Sequence, residues 1–312
     1  MDFVAIDFET ANECRNSACA IGLTRVTNGE IGDTDYHVIR PAELRFAPMN
    51  VRIHGITADT VSGSPTLDEV WPQIRDFIGD DMLVAHNASF DLSVLRHSLY
   101  SVGIPVPCVS YLCSVKLSRM VWPQLASYTL GYLATTHGIE LDHHHAQSDS
   151  IAAAKLVLLA RGETKPSCLR EFATSCGVTI GEVYSNHEWT PSSAPGYRQT
   201  EGEAELALPE GYDITTHPFH NKTMVFTGKM RLFSRNEVER IVSTLGAFST
   251  SSVSKKTDYV VAGALDLRVL AKGETESRKI KDAKDVISKG SHLQLITEED
   301  FSELLFTPMK HT

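Results

Sequence analysis

The sequence lacks the features that would place it in a membrane, on an export route or in a zinc-ribbon family. No apolar run reaches the roughly 20 residues of a membrane-spanning helix, and the start lacks the basic and then apolar layout of a signal peptide. The six cysteines never occur as C-x-x-C, which argues against a zinc ribbon and favours reduced, mostly buried thiols. No internal repeat is visible. These absences predict a cytoplasmic protein with no membrane partner.

The charge of the chain is unevenly distributed along its 312 residues, a length that suits about two domains. The net charge is -10, and residues 1–162 hold 11 Lys and Arg against 18 Asp and Glu. Residues 163–217 hold 3 against 9, whereas residues 218–312 hold 15 against 12. Because a locally positive surface attracts polyanions, the C-terminal part is expected to meet a phosphate-bearing partner.

The pattern of apolar residues predicts two α/β domains joined by an acidic linker. Three antiparallel strands, with a hairpin turn at Asn28–Gly29, are followed by alternating helices and strands, which predicts a mixed five-stranded sheet in residues 1–162. Residues 163–217 read as a small helical element and a linker rich in Pro, Ser, Gly and Glu. Residues 218–306 read as a second, smaller α/β domain.

Two carboxylates close a first strand whose two faces are otherwise apolar. Side chains alternate along a strand, so Asp7 and Glu9 point to the same side. An unpaired buried carboxylate is costly, and two that face one way suggest a divalent metal ion. The alternative is a strand that simply runs out into solvent.

Two further carboxylates stand in the first turns of predicted helices, Asp91 after the fourth strand and Asp149 in the last helix of the first domain. Each alone is explained as a helix cap, because helix starts favour negative charge. Four carboxylates from three distant segments together predict two magnesium or manganese ions and phosphoryl chemistry. His144 lies five residues before Asp149, which places it on the preceding loop, where an imidazole can accept a proton from water.

The segments DFET, HNASFD and HHAQSD resemble the three motifs of DnaQ-like exonucleases, in the histidine-containing subclass of the DEDD family. The resemblance implies a ribonuclease H-like fold and a catalytic set of Asp7, Glu9, Asp91, Asp149 and His144, with the histidine as general base and the carboxylates as metal ligands. It also implies that the 3′ nucleotide is contacted by Phe8, Thr10, Ile53, His54 and Phe90. For His54 the alternative is a histidine in a surface turn. His143 and His145 are expected to form a mobile imidazole run.

Residues 218–306 resemble a BRCT domain similar to the single units of NAD-dependent DNA ligases and of the large subunit of replication factor C. Two departures are that Gly246–Ala247 replaces a common Gly-Gly pair, and that Phe301 is the aromatic nearest to a missing tryptophan. The resemblance implies phosphate binding by Thr227, Gly228, Arg235 and Lys279. The alternatives are an ordinary Thr-Gly turn and one cation on a solvated helix.

Together these features predict a metal-dependent 3′–5′ exonuclease that shortens single-stranded DNA ends to 5′-mononucleotides in DNA repair or proofreading. The second domain is expected to bind a DNA 5′ phosphate or a repair protein. An RNA exonuclease is the nearest alternative, since these motifs do not reveal contacts to the 2′-hydroxyl group. A non-catalytic scaffold that binds DNA ends is an alternative of a different class.

Overall fold

The computed structural model describes residues 1–125, 127–162, 164, 166–186, 188–194, 214–228, 230, 233, 235–263 and 277–306. The chain divides into two compact units, Met1–Phe46 with Asn50–Gln199, and Ala47–Met49 with Thr200–Thr312. Within the described ranges, no helix combines the length and the apolar character needed to cross a bilayer.

The N-terminal unit contains one mixed sheet. Its strands are β1 (Phe3–Thr10), β2 (Ala18–Thr27), β3 (Glu30–Val38), β4 (Leu83–Ala85), β5 (Val109–Cys113), β6 (Gly181–Val183) and β7 (Trp189–Thr190). The spatial order is β3-β2-β1-β4-β5-β6-β7, in which β1, β4 and β5 run parallel and the other neighbours pair antiparallel. The predicted α/β class and mixed sheet are confirmed.

The five strands predicted for residues 1–162 are present, and two further strands outside that range extend the sheet to seven. The two additional strands, β6 and β7, lie within the stretch 163–217 that was interpreted as helix and linker. With three and two residues they are too short to show an alternating apolar pattern, and they are determined by the pairing of β6 with β5 and of β7 with β6. The linker stretch 195–213 lies outside the described residues, and the predicted domain boundaries remain a prediction.

In the described part of the chain, eight helices lie between β3 and β6 in sequence. They are α1 (Pro48–His54), α2 (Ala58–Val61), α3 (Leu67–Ile78), α4 (Asp91–Ser101), α5 (Ser114–Val121), α6 (Leu130–His137), α7 (Ala146–Arg161) and α8 (Leu169–Ser175). A capping box starts α3, where the Thr66 N–H donates to Glu69 Oε2 at 2.7 Å. The short helices α1 and α2, and α5 directly after β5, were not predicted, because so few turns show little periodicity.

The first strand is buried on both faces, as its sequence predicts. Val4, Ile6 and Phe8 lie in a core cluster with residues of α3 and α4. Phe3 and Ala5 lie in a second cluster with residues of α7 and α8. The sheet is therefore the middle layer of three, and the carboxylates at the end of β1 emerge from the centre of the unit.

The C-terminal unit is a small parallel α/β structure. Its strands β8 (Thr223–Thr227), β9 (Phe248–Thr250), β10 (Tyr259–Ala262) and β11 (Gln294–Thr297) have the order β11-β10-β8-β9. Its helices are α9 (Arg235–Thr244), α10 (Arg278–Ser288) and α11 (Glu298–Phe306). Phe301 of α11 is fully buried and stacks on Phe219 with ring centroids 5.4 Å apart, so an aromatic ring of the last helix fills this core.

Candidate active site

Asp91 is fixed to the first strand beside Asp7 and Glu9. β1 pairs with β4 only as far as Ala5, so the N–H groups that follow on this edge of β1 are not bonded by β4. The N–H of Phe8 donates to Asp91 Oδ1 at 3.0 Å and thereby holds the carboxylate against the strand. Asp91 is 1% exposed and lies in the first turn of α4, where the helix dipole favours its charge.

A tight turn positions Asp91 after β4. Asn87 has a φ of 64°, a left-handed conformation that asparagine tolerates better than most residues. Its carbonyl accepts from the Phe90 N–H at 2.8 Å, which closes the turn directly before α4. The side chain of the preceding His86 bonds to Ser114 Oγ at 2.8 Å and to Tyr128 O at 2.9 Å, so this segment is held from both sides.

Asp149 reaches the first strand because α7 lies directly on β2 at Gly22. A Cβ atom at Gly22 would stand 2.2 Å from the carbonyl carbon and oxygen of Ala146, which are backbone atoms of the first turn of α7. In the sheet, Gly22 lies opposite Asp7 on one side and Tyr36 on the other. The missing side chain at Gly22 therefore makes room for the helix start that carries Asp149.

Three of the four predicted carboxylates form one compact cluster. Each of Asp7, Glu9 and Asp149 offers an oxygen atom, and these atoms all lie within 4.8 Å of one another. Asp7 and Glu9 are half-buried and Asp149 is 5% exposed. Converging carboxylate oxygens are the donor set that Mg²⁺ and Mn²⁺ prefer, so these residues fit a divalent metal ion. Asp91 stands beside the cluster through its bond to Phe8.

His144 lies on the loop before α7, as its spacing predicts. Its φ is 69°, and its N–H donates to Asp149 Oδ2 at 3.1 Å. The ligand atoms of His143, His144 and Asp149 also lie within 4.8 Å of one another. The structure thus brings together Asp149 and the histidine proposed as general base.

The neighbouring histidines are packed, which corrects the expectation of a mobile imidazole run. The His143 and His144 rings stack with centroids 4.0 Å apart. The His143 ring also occupies the space beside Gly131, where a Cβ atom would lie 2.9 Å from it. The His145 ring stacks on Tyr36 of β3 at 4.6 Å. Sequence spacing did not indicate these contacts, because they join the loop to distant elements.

The negative charge at this end of the sheet affects nearby titratable groups. Burial raises the pKa of the Tyr36 hydroxyl, and the negative charges that Cys19 would carry as a thiolate and that Glu9 carries as a carboxylate raise it further. Burial also raises the pKa of the Cys19 thiol well above its usual value, and the carboxylate of Glu9 adds to this shift. Both groups therefore stay neutral near pH 7, and the site favours cations.

His54 and Asn50 hold the end of β1 through the backbone of Thr10. The Asn50 Nδ2 donates to Thr10 O at 2.9 Å. His54 Nδ1 accepts from the Ile56 N–H at 3.0 Å, so His54 Nε2 carries the proton and donates to Thr10 O at 3.1 Å. Burial lowers the pKa of His54 to about 4, so the ring is neutral. Sequence reasoning missed Asn50, although its spacing of four residues from His54 places both on one side of α1.

The other predicted nucleotide contacts occupy different environments. Phe8 is 3% exposed and packs in the core, and Thr10 is 4% exposed, so both offer backbone atoms rather than side chains to a ligand. Ile53 is half-buried on α1. Phe90 is half-buried, and the guanidinium of Arg15 lies 4.4 Å from its ring centroid. Nucleotide binding by these residues remains a prediction.

The four predicted phosphate-binding residues of the C-terminal unit converge on one strand end. Arg235 Nη1 and Lys279 Nζ each donate to the carbonyl of Phe226 at 3.1 Å. Thr227 Oγ1 lies 3.0 Å from Ser277 Oγ, and Gly228 follows with a φ of 80°. Burial lowers the pKa of Lys279, and the positive charge of Arg235 lowers it further. Two cations on one carbonyl form a site that an anion would stabilise.

Comparison with known proteins agrees with both units. Residues 4–157 match the family model RNase_T, described as exonuclease, and residues 215–289 match the BRCA1 C Terminus (BRCT) domain. Residues 4–157 therefore form a DnaQ-like exonuclease domain. This domain is followed by a BRCT domain, which confirms both predicted resemblances.

Individual proteins are similar to part of this chain. The chain is 33% identical over 178 residues to a DNA polymerase III PolC-type of Listeria innocua and 30% identical over 161 residues to the 3′-5′ exonuclease DinG of Staphylococcus aureus. These matches cover 57% and 51% of this chain but only 12% and 18% of the relatives. The solved structure of Exonuclease X in complex with 5′ overhanging duplex DNA is 26% identical, with a TM-score of 0.46, and the match covers 56% of this chain and 99% of that one.

Substitution of Gly22 tests how the carboxylates are brought together. In Gly22→Ala the new Cβ would overlap the backbone of Ala146, so α7 must shift and carry Asp149 away from Asp7. We expect at least a tenfold weaker Mn²⁺ affinity by calorimetry, with a folded circular dichroism spectrum. Gly32→Ala in β3, where the nearest atom lies 3.7 Å away, is the matched control. Unchanged Mn²⁺ affinity in Gly22→Ala would contradict this account of the site.

The depressed pKa of His54 predicts a loss of stability in mild acid. Between about pH 6.5 and 4, His54 binds a proton in the unfolded chain but stays neutral in the folded one. The free energy of unfolding therefore falls as the pH is lowered. The expected slope from this group is about 1 kcal/mol per pH unit. Urea titrations of the wild type and of His54→Gln at several pH values measure it. Equal pH slopes for the two proteins would show that His54 titrates normally in the folded state.

Proposed function

We propose that the exonuclease domain hydrolyses the terminal phosphodiester at the 3′ end of single-stranded DNA and releases 5′-mononucleotides. The observation that carries this proposal is the cluster of Asp7, Glu9 and Asp149, whose oxygens lie within 4.8 Å of one another beside Asp91 and His144. A set of carboxylates with an adjacent imidazole suits hydrolysis of an anionic ester better than it suits passive binding of a polyanion, which four carboxylates would repel.

The chain's own residues supply the metal ligands and a proton acceptor. Asp7, Glu9 and Asp149 would hold the first divalent cation, and Asp7 with Asp91 would serve a second. Such cations, when bound, neutralise the phosphodiester and stabilise the leaving 3′ oxygen. Mg²⁺ and Mn²⁺ are the ions we propose. The imidazole of His144 would accept the proton of the attacking water, and its backbone bond to Asp149 keeps it at the site.

The choice of DNA over RNA is supported by the name of one relative, a DNA polymerase III PolC-type, and by the BRCT domain. The described site residues include none whose contact distinguishes a 2′-hydroxyl group, so DNA is a proposal that an experiment must test against RNA. Repair or proofreading is the context that this combination of domains favours.

The BRCT domain is proposed to bind a DNA 5′ phosphate or a repair protein. Support comes from the meeting of Arg235 and Lys279 at the Phe226 carbonyl, beside the turn at Thr227 and Gly228. A bound phosphate would place negative charge between two cations that now repel one another. A second binding point on the same chain would raise the local concentration of DNA ends near the exonuclease domain.

The exonuclease activity is tested with 5′-labelled single-stranded DNA and RNA of one sequence. In Mg²⁺ or Mn²⁺ we expect stepwise shortening of DNA from the 3′ end, which chelation by EDTA abolishes. Asp7→Asn should lower the rate at least a thousandfold, because it removes a charge from the metal cluster. Asp33→Asn, an exposed carboxylate of β3, is the matched control and should keep the wild-type rate.

Each outcome of this experiment selects one function. Faster shortening of RNA than of DNA would make the protein an RNA exonuclease. DNA binding without shortening of either strand, unchanged in Asp7→Asn, would support a scaffold. Shortening that persists in EDTA would contradict the metal-dependent mechanism.

The phosphate site is tested by binding of two oligonucleotide duplexes that differ only in a 5′ phosphate. Lys279→Ala should weaken binding of the phosphorylated duplex about tenfold, because a charged hydrogen bond is lost, and should leave the 5′-hydroxyl duplex unaffected. Lys289→Ala is the control, since this lysine lies past the other end of α10 and pairs with Asp285 at 2.6 Å. Equal affinity of the wild type for both duplexes would exclude recognition of a 5′ phosphate.

A further inference from the structure

The loop before α7 carries a second group of metal-binding side chains, which differs in chemistry from the carboxylate cluster. His143, His144 and Asp149 each offer one ligand atom, and these atoms all lie within 4.8 Å of one another. Two of these three residues are imidazoles, whereas Asp7 and Glu9 offer only carboxylate oxygen. We propose that His143, His144 and Asp149 bind a zinc ion that inhibits hydrolysis, an inference that rests on the exonuclease function proposed above.

The type of ligand selects the metal. Imidazole nitrogen suits Zn²⁺ and related transition metals, whereas Mg²⁺ and Mn²⁺ prefer carboxylate oxygen. Two imidazoles and one carboxylate make three protein ligands, a set that zinc accepts when water takes the fourth position. For a given site the affinity for Zn²⁺ also exceeds that for Mn²⁺. We therefore expect this loop to bind zinc even when Mg²⁺ is in excess.

His143 is packed with one edge of its ring toward Asp149. A Cβ atom at Gly131 would lie 2.9 Å from His143 Cδ2 and Nε2, so this edge of the ring rests against α6. His143 Nδ1, on the other edge, stands 3.7 Å from Asp149 Oδ2. This separation exceeds a hydrogen bond, and it is close to the roughly 3.4 Å expected between two ligands that bind one tetrahedral zinc ion at about 2.1 Å. An ion between these two atoms therefore needs little movement of either side chain.

The His144 ring supplies the third ligand by rotating. Its φ of 69° accompanies a stack of two consecutive rings, with the planes of His143 and His144 only 23° apart. An imidazole lone pair lies in the plane of its ring, so two stacked rings do not point at one ion. Because Gly131 holds the His143 ring in place, the half-buried His144 ring is the one that turns. This rotation also uncovers one face of His143 for the arriving ion.

Zinc at this position would take two groups away from hydrolysis. The His144 nitrogen that is proposed to accept the proton of water has one lone pair, which cannot bond the ion and a proton together. Asp149 is a member of the proposed Mg²⁺ or Mn²⁺ ligand set as well, so the two ions compete for its carboxylate. The His144 N–H donates to Asp149 Oδ2 at 3.1 Å, which keeps the loop and this carboxylate together. Zinc is therefore expected to inhibit rather than to support the reaction.

The site is tested first by zinc affinity, measured on the full chain with a chromophoric chelator as competitor. His143→Gln should weaken Zn²⁺ binding at least about tenfold, because it removes a ligand and even a group behind a ligand contributes that much. His145→Gln is the matched control, since this neighbouring ring stacks on Tyr36 and is not one of the three ligands. It should keep the wild-type affinity. Equal Zn²⁺ affinity of the wild type and His143→Gln would overturn the site.

A second variant leaves all three ligands in the chain. In Gly131→Ala the new Cβ atom would displace the His143 ring, so Zn²⁺ binding should weaken although no ligand is removed. Mn²⁺ affinity reports the carboxylate cluster and should be unchanged in this variant. Wild-type Zn²⁺ affinity in Gly131→Ala would contradict the role given to His143.

Inhibition is tested by cleavage of 5′-labelled single-stranded DNA in excess Mg²⁺ with rising Zn²⁺. The rate of the wild type should fall over the same range of Zn²⁺ concentration in which the ion binds. His143→Gln should need at least about tenfold more Zn²⁺ to lose half of its own zinc-free rate, and His145→Gln should respond as the wild type does. Equal inhibition of the wild type and His143→Gln would show that zinc acts at the carboxylates alone, and would overturn the proposal.

The two measurements separate this inference from the proposed activity. A wild type that cleaves no DNA would refute the exonuclease function, whereas the comparison of Zn²⁺ affinities still decides whether the site exists. Tight Zn²⁺ binding that depends on His143 and leaves the rate of hydrolysis unchanged would refute the inhibition.

Discussion

The first turn of α7 rests directly on β2 at Gly22, and the geometry of the site depends on that contact. The row Asp7, Gly22 and Tyr36 crosses three strands, with a carboxylate at one end, an aromatic ring at the other and no side chain between them. The helix start fills the gap, so Asp149 meets Asp7 while His145 stacks on Tyr36. One missing Cβ atom thus makes room for both contacts of the helix start, which directly follows the loop of His144.

The remaining carboxylate is positioned by a different interaction. Asp91 is held by the Phe8 N–H at a point where β1 extends beyond its pairing with β4. A backbone donor that β4 does not bond therefore meets a carboxylate in the first turn of α4. The carbonyl of Thr10, two residues after Phe8, accepts hydrogen bonds from Asn50 and His54 of α1. The carboxylate-bearing end of β1 is therefore fixed by three hydrogen bonds from two helices, α4 and α1, which suits a site where three carboxylates must stay together despite their repulsion.

Much of the fold and of the candidate site could be predicted from local pattern. Long elements with apolar faces, such as β1, α3 and α7, follow from periodicity, and the four carboxylates and His144 follow from motifs at the ends of those elements. The rest depends on distant contacts. The strands β6 and β7 form because β6 pairs with the edge of β5 and β7 pairs with β6. The roles of Gly22, Asn50 and His143 appear only when separate segments pack together. His54 shows the same limit, since a motif suggested a nucleotide contact and the fold shows both ring nitrogens engaged by backbone groups.

We propose above all that Asp7, Glu9 and Asp149 form the ligand set of a divalent metal centre. Anomalous diffraction from crystals of the full chain grown with Mn²⁺ tests this most directly, because it locates the ions without reference to activity. We expect an anomalous peak within coordination distance of all three carboxylates and a second peak that shares Asp7. A map with no peak at these carboxylates, in crystals that bind Mn²⁺ elsewhere, would contradict it.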